Sequence, residues 1–207
     1  MNSASQQDYT PEHVLDYWFD CAEQDIEQLQ ARSKIWYSIS TERDEEIKIK
    51  FGTLLREIVS GHRQDWSQTS SGVLALVLVL DQFTRQIFRK KPEAFAHDAQ
   101  AVAITYAGIS HGLDQEMSVP GRLFFYHPFQ HSEKLKDQEF GVQIVRNLRS
   151  HCDEHWHEYV DESMRYFEEH YEIVRRFGRF PHRNEVLNRS STPEELEFLR
   201  TASRYGQ

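Results

Sequence analysis

Apolar residues recur at intervals of three and four along most of the chain, the period of one face of an α-helix. In "STERDEEIKIKFGTLLREIVSG", Ile47, Phe51, Leu54, Leu55 and Ile58 form one stripe. Thr41 stands as N-cap before an acidic first turn, and Gly61 ends the run. "YTPEHVLDYWFD" offers Thr10 as N-cap and Pro11 at the first helical position, with an acid just behind. "SSTPEELEFLRTASRY" repeats the device with Thr192, Pro193 and a capping-box acid at Glu195. "PEAFAHDAQAVAITYAGISHG" predicts an alanine-rich helix from Pro92 to Gly112. "DEHWHEYVDESMRYFEEHYEIVRRFG" places Trp156, Val160, Met164, Phe167, Tyr171 and Val174 on one stripe. Its other faces are mostly charged, as on a long helix lying over a core.

One run breaks the period. "VLALVLVL" is apolar throughout and fits either a buried strand or a buried helix. No other segment alternates clearly enough to pair with it, and a lone strand is not stable. The pattern therefore predicts an all-α protein of about eight to ten helices, with a buried apolar central helix at about 72–89. No linker or visible repeat divides the chain, so one domain over residues 1–207 is expected, behind a flexible tail at 1–8.

Composition narrows the class. A chain of 207 residues with 13 Phe, 9 Tyr and 4 Trp has ample material for a core. Such a chain should bury roughly 70% of its unfolded surface. The 33 acidic residues against 24 Lys and Arg argue against nonspecific nucleic-acid binding, which needs a positive face. Cys21 and Cys152 form no motif and allow at most one bridge. "MNSASQQDYT" lacks the apolar stretch of a signal peptide, and eight apolar residues fall far short of the roughly 20 that span a bilayer. The expectation is a reduced, cytoplasmic protein with no membrane or nucleic-acid partner and no cofactor. Oligomeric state is left open.

Against that acidic background, "RRFGRFPHRN" at 175–184 concentrates arginine on a stiff bend. Arg175 and Arg176 complement the dipole at a helix end, and Gly178 terminates the helix. Neither effect accounts for Arg179, His182 and Arg183 on a turn stiffened by Pro181, with Phe177 and Phe180 as anchors and Asn184 capping a short helix "EVLN". Planar guanidinium groups suit a carboxylate or phosphate. On the central helix Asp81, Arg85 and Arg89 follow at spacings of four and share a face; an intrahelical Asp81–Arg85 ion pair explains the pattern equally well. In "FFYHPFQHSEKLKDQE", Pro128 ends an aromatic segment and Ser132 caps a new helix, so His131 and Glu133 flank a helix N-terminus that favours an anion. "HCDEH" at 151–155 matches a zinc-peptidase pattern, but a third ligand and a dry cleft are wanting, so no metal is expected.

"LDQFTRQIFR", "PEAFAHDAQA", "YHPFQHSEKLKDQE" and "FGRFPHRNEVLNRSSTPEELEFL" resemble, in order and over nearly the whole chain, the motifs of a bacterial family catalogued as domain of unknown function 924. The resemblance implies an all-helical fold of tetratricopeptide-like superhelical kind. It places Asp81, Gln82, Arg85, Arg89, Asp98, His131, Glu133, Arg179, His182, Arg183 and Asn184 on motif positions. Where the family pattern usually reads Asp-Gln-Phe-Pro-Arg, this chain has Thr84. Two functions then compete. One is a pocket in which Arg85, Arg89, Arg179 and Arg183 hold a small phosphate- or carboxylate-bearing ligand, with Asp81, Gln82, Asp98 and Asn184 around it. His131, Glu133 and His182 would be the acid–base candidates if a reaction occurs. The other is a helical module that binds a peptide or protein partner in a groove.

Overall fold

Among the residues described by the computed structural model (8–20, 23 and 25–202), every regular element is helical and no strand is present. Residues 1–7 of the expected tail, and Cys21 with the bridge it would allow to Cys152, lie outside the described residues. Nine helices are present among the described residues, within the range the sequence predicts: α1 Pro11–Phe19, α2 Ile26–Trp36, α3 Thr41–Val59, the central α4 from Ser70 to Ile87, α5 Asp98–Ser110, α6 Val119–His131, α7 Leu135–His151, α8 His157–Phe177 and α9 Pro193–Phe198. No helix among the described residues is long and apolar enough to cross a membrane.

The caps explain most of the boundaries. Pro11 opens α1, and His13 accepts the Thr10 backbone N–H at 3.1 Å. At α9, Thr192 and Glu195 exchange bonds in a capping box. The α3 cap is Ser40, one residue earlier than expected, because its hydroxyl reaches the Arg43 N–H. Gly61 and Gly178 adopt the left-handed conformation that stops α3 and α8.

The central helix is buried from Gly72 through Asp81 without interruption. α1, α3, α5 and α6 all pack on it. Trp18, Trp36 and Phe124 pack together beside it, and Phe83 of α4 lies against Trp18 and Phe51. The helix is not uniform: Ser70–Val77 is α-helical, Leu78–Phe83 is a π-helix, and Thr84–Ile87 returns to α. A π-turn disrupts the i→i−4 ladder, and Thr84 compensates by donating its hydroxyl to the Leu80 carbonyl at 2.8 Å. Thr84→Val, of nearly the same shape, should therefore cost about 1–2 kcal/mol in urea unfolding. No loss would mean that the hydroxyl leaves the π-turn unaffected.

Several predicted elements are corrected. The 92–112 segment is a 3-10 turn at Pro92–Phe95 followed by α5, which begins only at Asp98. Pro128 lies inside α6 rather than ending it; Leu123 through Gln130 are buried, and packing outweighs the backbone bond that proline forgoes. His131 accordingly closes α6 instead of flanking the start of α7. Ser132 does not cap α7, because its hydroxyl turns to Asp137 at 2.6 Å. Residues 184–188 form turns, so Asn184 caps no helix at "EVLN". His151 ends α7, whereas His155 belongs to a 3-10 turn, so the two do not share a helix face.

Candidate functional site

The π-turn of α4 delivers Asp81 into the interior, where the residue is 0% exposed. Three elements converge on its carboxylate. Arg85, one turn on, brings Nη1 to 3.0 Å of Oδ1. His131, at the end of α6, sets Nδ1 2.9 and 3.0 Å from the two oxygens. Gln82 donates to Oδ2 at 2.6 Å and approaches His127 Nδ1 at 3.4 Å.

A carboxylate only accepts, so the His131 proton sits on Nδ1 and a neutral ring leaves the Nε2 lone pair free. No group among the described residues bonds that Nε2. Burial, together with the cations Arg85 and Arg183 and neighbouring His170 and His182, holds His131 well below the usual imidazole range. By the same reasoning, Gln82 donates to His127 Nδ1 and keeps that ring neutral. Burial pushes His127 down to about 3, His170 to about 4 and His182 to about 3.

The bend at 178–184 comes to the same place. Arg183 is only 5% exposed, and its guanidinium carbon lies 4.4 Å from the Phe95 ring centroid and 4.5 Å from that of Phe180. Nη1 donates to Asp98 at 3.1 Å, and Nη2 to the His131 carbonyl at 3.0 Å. Asp98 also accepts from Arg85 Nη2 at 3.0 Å. Arg85 and Arg183, 98 positions apart in sequence, thus share one carboxylate. Burial lowers the Arg183 pKa to about 10, which leaves it charged at neutral pH.

A cavity of about 360 Å³ opens beside this cluster. Asp98, His131 and Arg183 form part of its wall, with Ser132, Glu133, Lys134 and Asp137 on the polar side. Phe95, Val102 and Leu187 supply the apolar side.

The remaining candidates are near the bend or elsewhere. Glu133 accepts both Arg189 Nη1 and Nη2, at 2.7 and 2.9 Å, and the Phe180 N–H at 2.8 Å. Arg179 forks onto Glu195 at 2.6 and 2.8 Å. Asn184 is buried, receives Arg189 Nε at 3.0 Å and donates to Ser191 and Glu195. Arg89 follows the end of α4 and grips Asp44 of α3 at 2.5 and 2.8 Å. Its spacing of four from Arg85 therefore does not bring it to Asp98, because the helix stops at Ile87. Arg175 pairs with Glu172 and Arg176 with Glu194 on the exposed end of α8. The arginines of the bend thus meet acids from the chain itself.

Sequence reading missed His127, His170, Arg189 and Phe95. His127 lies four residues before His131 on α6, a spacing that carries the signal; the other three are brought in by tertiary packing. Among the described residues no group of three or more His, Cys, Asp or Glu side chains is placed to hold a metal. His151 instead bonds the Asn147 carbonyl and His155 packs on Trp156.

No curated protein matches the chain. The fold is similar to a solved structure described as a protein of unknown function, ATU0120, from Agrobacterium tumefaciens, with a TM-score of 0.78 and 29% identity over 93% of this chain and 97% of that one. Residues 14–203 match the family described as bacterial protein of unknown function, DUF924. With that match running from α1 past α9, the chain belongs to the DUF924 family.

Proposed function

We propose that the cavity beside His131 and Arg183 binds a small molecule bearing a carboxylate or phosphate, and that His131 meets it as hydrogen-bond acceptor or general base. The observation that carries this reading is the presence in one cavity wall of Arg183, fixed between two aromatic rings, and of His131, whose Nδ1 is held by Asp81. A cavity of about 360 Å³ has the size of a metabolite site, with an apolar side for the ligand body and a polar side for its charge. Lys134, exposed at the rim, adds a second cation. Glu133 is fully engaged by Arg189 and Phe180, which leaves His131 as the better base. Arg89 and Arg179 have no part in this site; they are structural.

A ligand that binds only the folded state stabilises it by about 2.7 kcal/mol at a hundredfold excess over Kd. For a chain of this size that is a Tm increase of roughly 5–10 °C. Screening phosphate- and carboxylate-bearing metabolites at fixed ionic strength should find such a shift. It should vanish in Arg183→Met and Arg85→Ala, shrink in His131→Gln, and persist in Arg175→Ala at the exposed end of α8. A screen without any shift, or a shift that survives Arg183→Met, removes the reading.

A further inference from the structure

Two buried guanidinium groups side by side repel unless an anion lies between them. Here Asp98 gives one oxygen to each, 3.0 Å from Arg85 Nη2 and 3.1 Å from Arg183 Nη1. Neither arginine owes its position to that carboxylate alone. Arg85 is held independently by the Asp81 side chain at 3.0 Å and by the Asp81 carbonyl at 2.5 Å. Arg183 is clamped between Phe95 and Phe180 and bonded to the His131 carbonyl. Its Nε–H is buried and finds no acceptor among the described residues.

Asp98 depends on the two arginines alone: its carboxylate bonds only these two among the described residues. It is the first residue of α5, it lines the cavity, and its side chain is partly exposed there. Take the carboxylate away and two guanidinium groups remain, each fixed by other contacts and both aimed at one point in the cavity wall. Such a pair is preorganised for an oxyanion.

We infer that Asp98 is a resident carboxylate occupying an oxyanion subsite, and that a ligand's phosphate or carboxylate enters by displacing it. The inference rests on the cavity reading above and specifies its polar end. Exchange of one anion for another never leaves the buried arginines uncompensated, which is why it is feasible where simple removal is not. A phosphate also brings more acceptor oxygens than Asp98, and the Arg183 Nε–H needs one. In the wild type, ligand affinity is set by competition with Asp98. Neutralising that residue should strengthen binding.

The probe is inorganic phosphate, titrated calorimetrically against chloride at equal ionic strength. Asp98→Asn should bind it at least tenfold more tightly than the wild type, and Asp98→Asn combined with Arg183→Met should lose the gain. Equal affinity in Asp98→Asn and wild type overturns the inference, as does a gain that survives Arg183→Met. Should Asp98→Asn not fold in chloride, its refolding yield in phosphate against chloride gives the answer: recovery in phosphate supports the subsite, and equal yields overturn it. The metabolite screen on wild-type protein is a separate result. Tight phosphate binding by Asp98→Asn with a silent screen would uphold the subsite and remove the ligand reading. The reverse pair of results would do the opposite.

Discussion

Asp81→Ala should be the most damaging single substitution in the cluster, lowering stability by about 3–5 kcal/mol, the usual cost of removing one partner from a buried ion pair. The carboxylate is fully buried and serves three groups at once: Arg85, His131 and Gln82. Its removal leaves the His131 Nδ1–H and one Gln82 donor without an acceptor, and Arg85 with Asp98 as its only carboxylate. For a protein of this length the Tm should fall by on the order of 10 °C. Arg176→Ala breaks a pair whose side chains are 53% and 63% exposed, and should change the Tm little. Urea unfolding followed by circular dichroism separates the two cases. A loss below about 1 kcal/mol for Asp81→Ala would put it in the range of exposed pairs and show that the cluster does not hold the interior together.

The sequence reveals the class of fold more readily than its joints. Helix starts at Pro11 and Pro193 were legible because proline and a capping side chain act through neighbours three or four residues away, and the same holds for the stops at Gly61 and Gly178. The burial of 72–80 was legible because no polar residue interrupts it. What local signals miss is decided by packing. Pro128 reads as a breaker, yet α6 runs through it inside the core. Thr84 reads only as a departure from the family's usual proline, whereas it bonds the carbonyls of a π-turn that no periodicity announces. Asp81, Arg85 and Arg183 were legible as candidates, since charge beside an apolar run or on a stiff bend is costly without a partner. The Asp81–Arg85 pair was legible from its spacing of four, but the partners that join these residues into one cluster were not. Asp98, 13 residues from Arg85 and 85 from Arg183, is found only when α5 is docked. Arg189, the partner of Glu133, lies in a polar stretch that looks like ordinary loop.

The protein should also lose stability steeply between pH 6.5 and 4, earlier than acid protonation of carboxylates would produce. Burial holds His127 down to about 3, His170 to about 4 and His182 to about 3, and keeps His131 well below its ordinary value. An unfolded histidine takes up its proton near pH 6.5. Over this window the unfolded chain therefore binds more protons than the folded one, so the stability these rings contribute is complete above pH 6.5 and is lost as pH falls. Each ring that stays neutral contributes a slope of about 1.4 kcal/mol per pH unit, and the four together about 5.5 kcal/mol per unit. A domain in the lower half of the usual range of about 5–15 kcal/mol would be close to unfolding by pH 4.5–5. Glu195, held down to about 2 by Arg179, adds its loss only as pH falls from about 4.5 toward 2, below the histidine window. His170→Gln keeps a donor for the Tyr166 carbonyl, which His170 Nδ1 meets at 2.8 Å, while removing one titrating group. Its urea midpoint should be less dependent on pH between 6.5 and 5, with the slope reduced by about one quarter. Wild-type midpoints that stay flat from pH 7 to 5 would show that these rings do not stay neutral in the folded protein, and with that the unprotonated Nε2 assigned to His131 would lose its support.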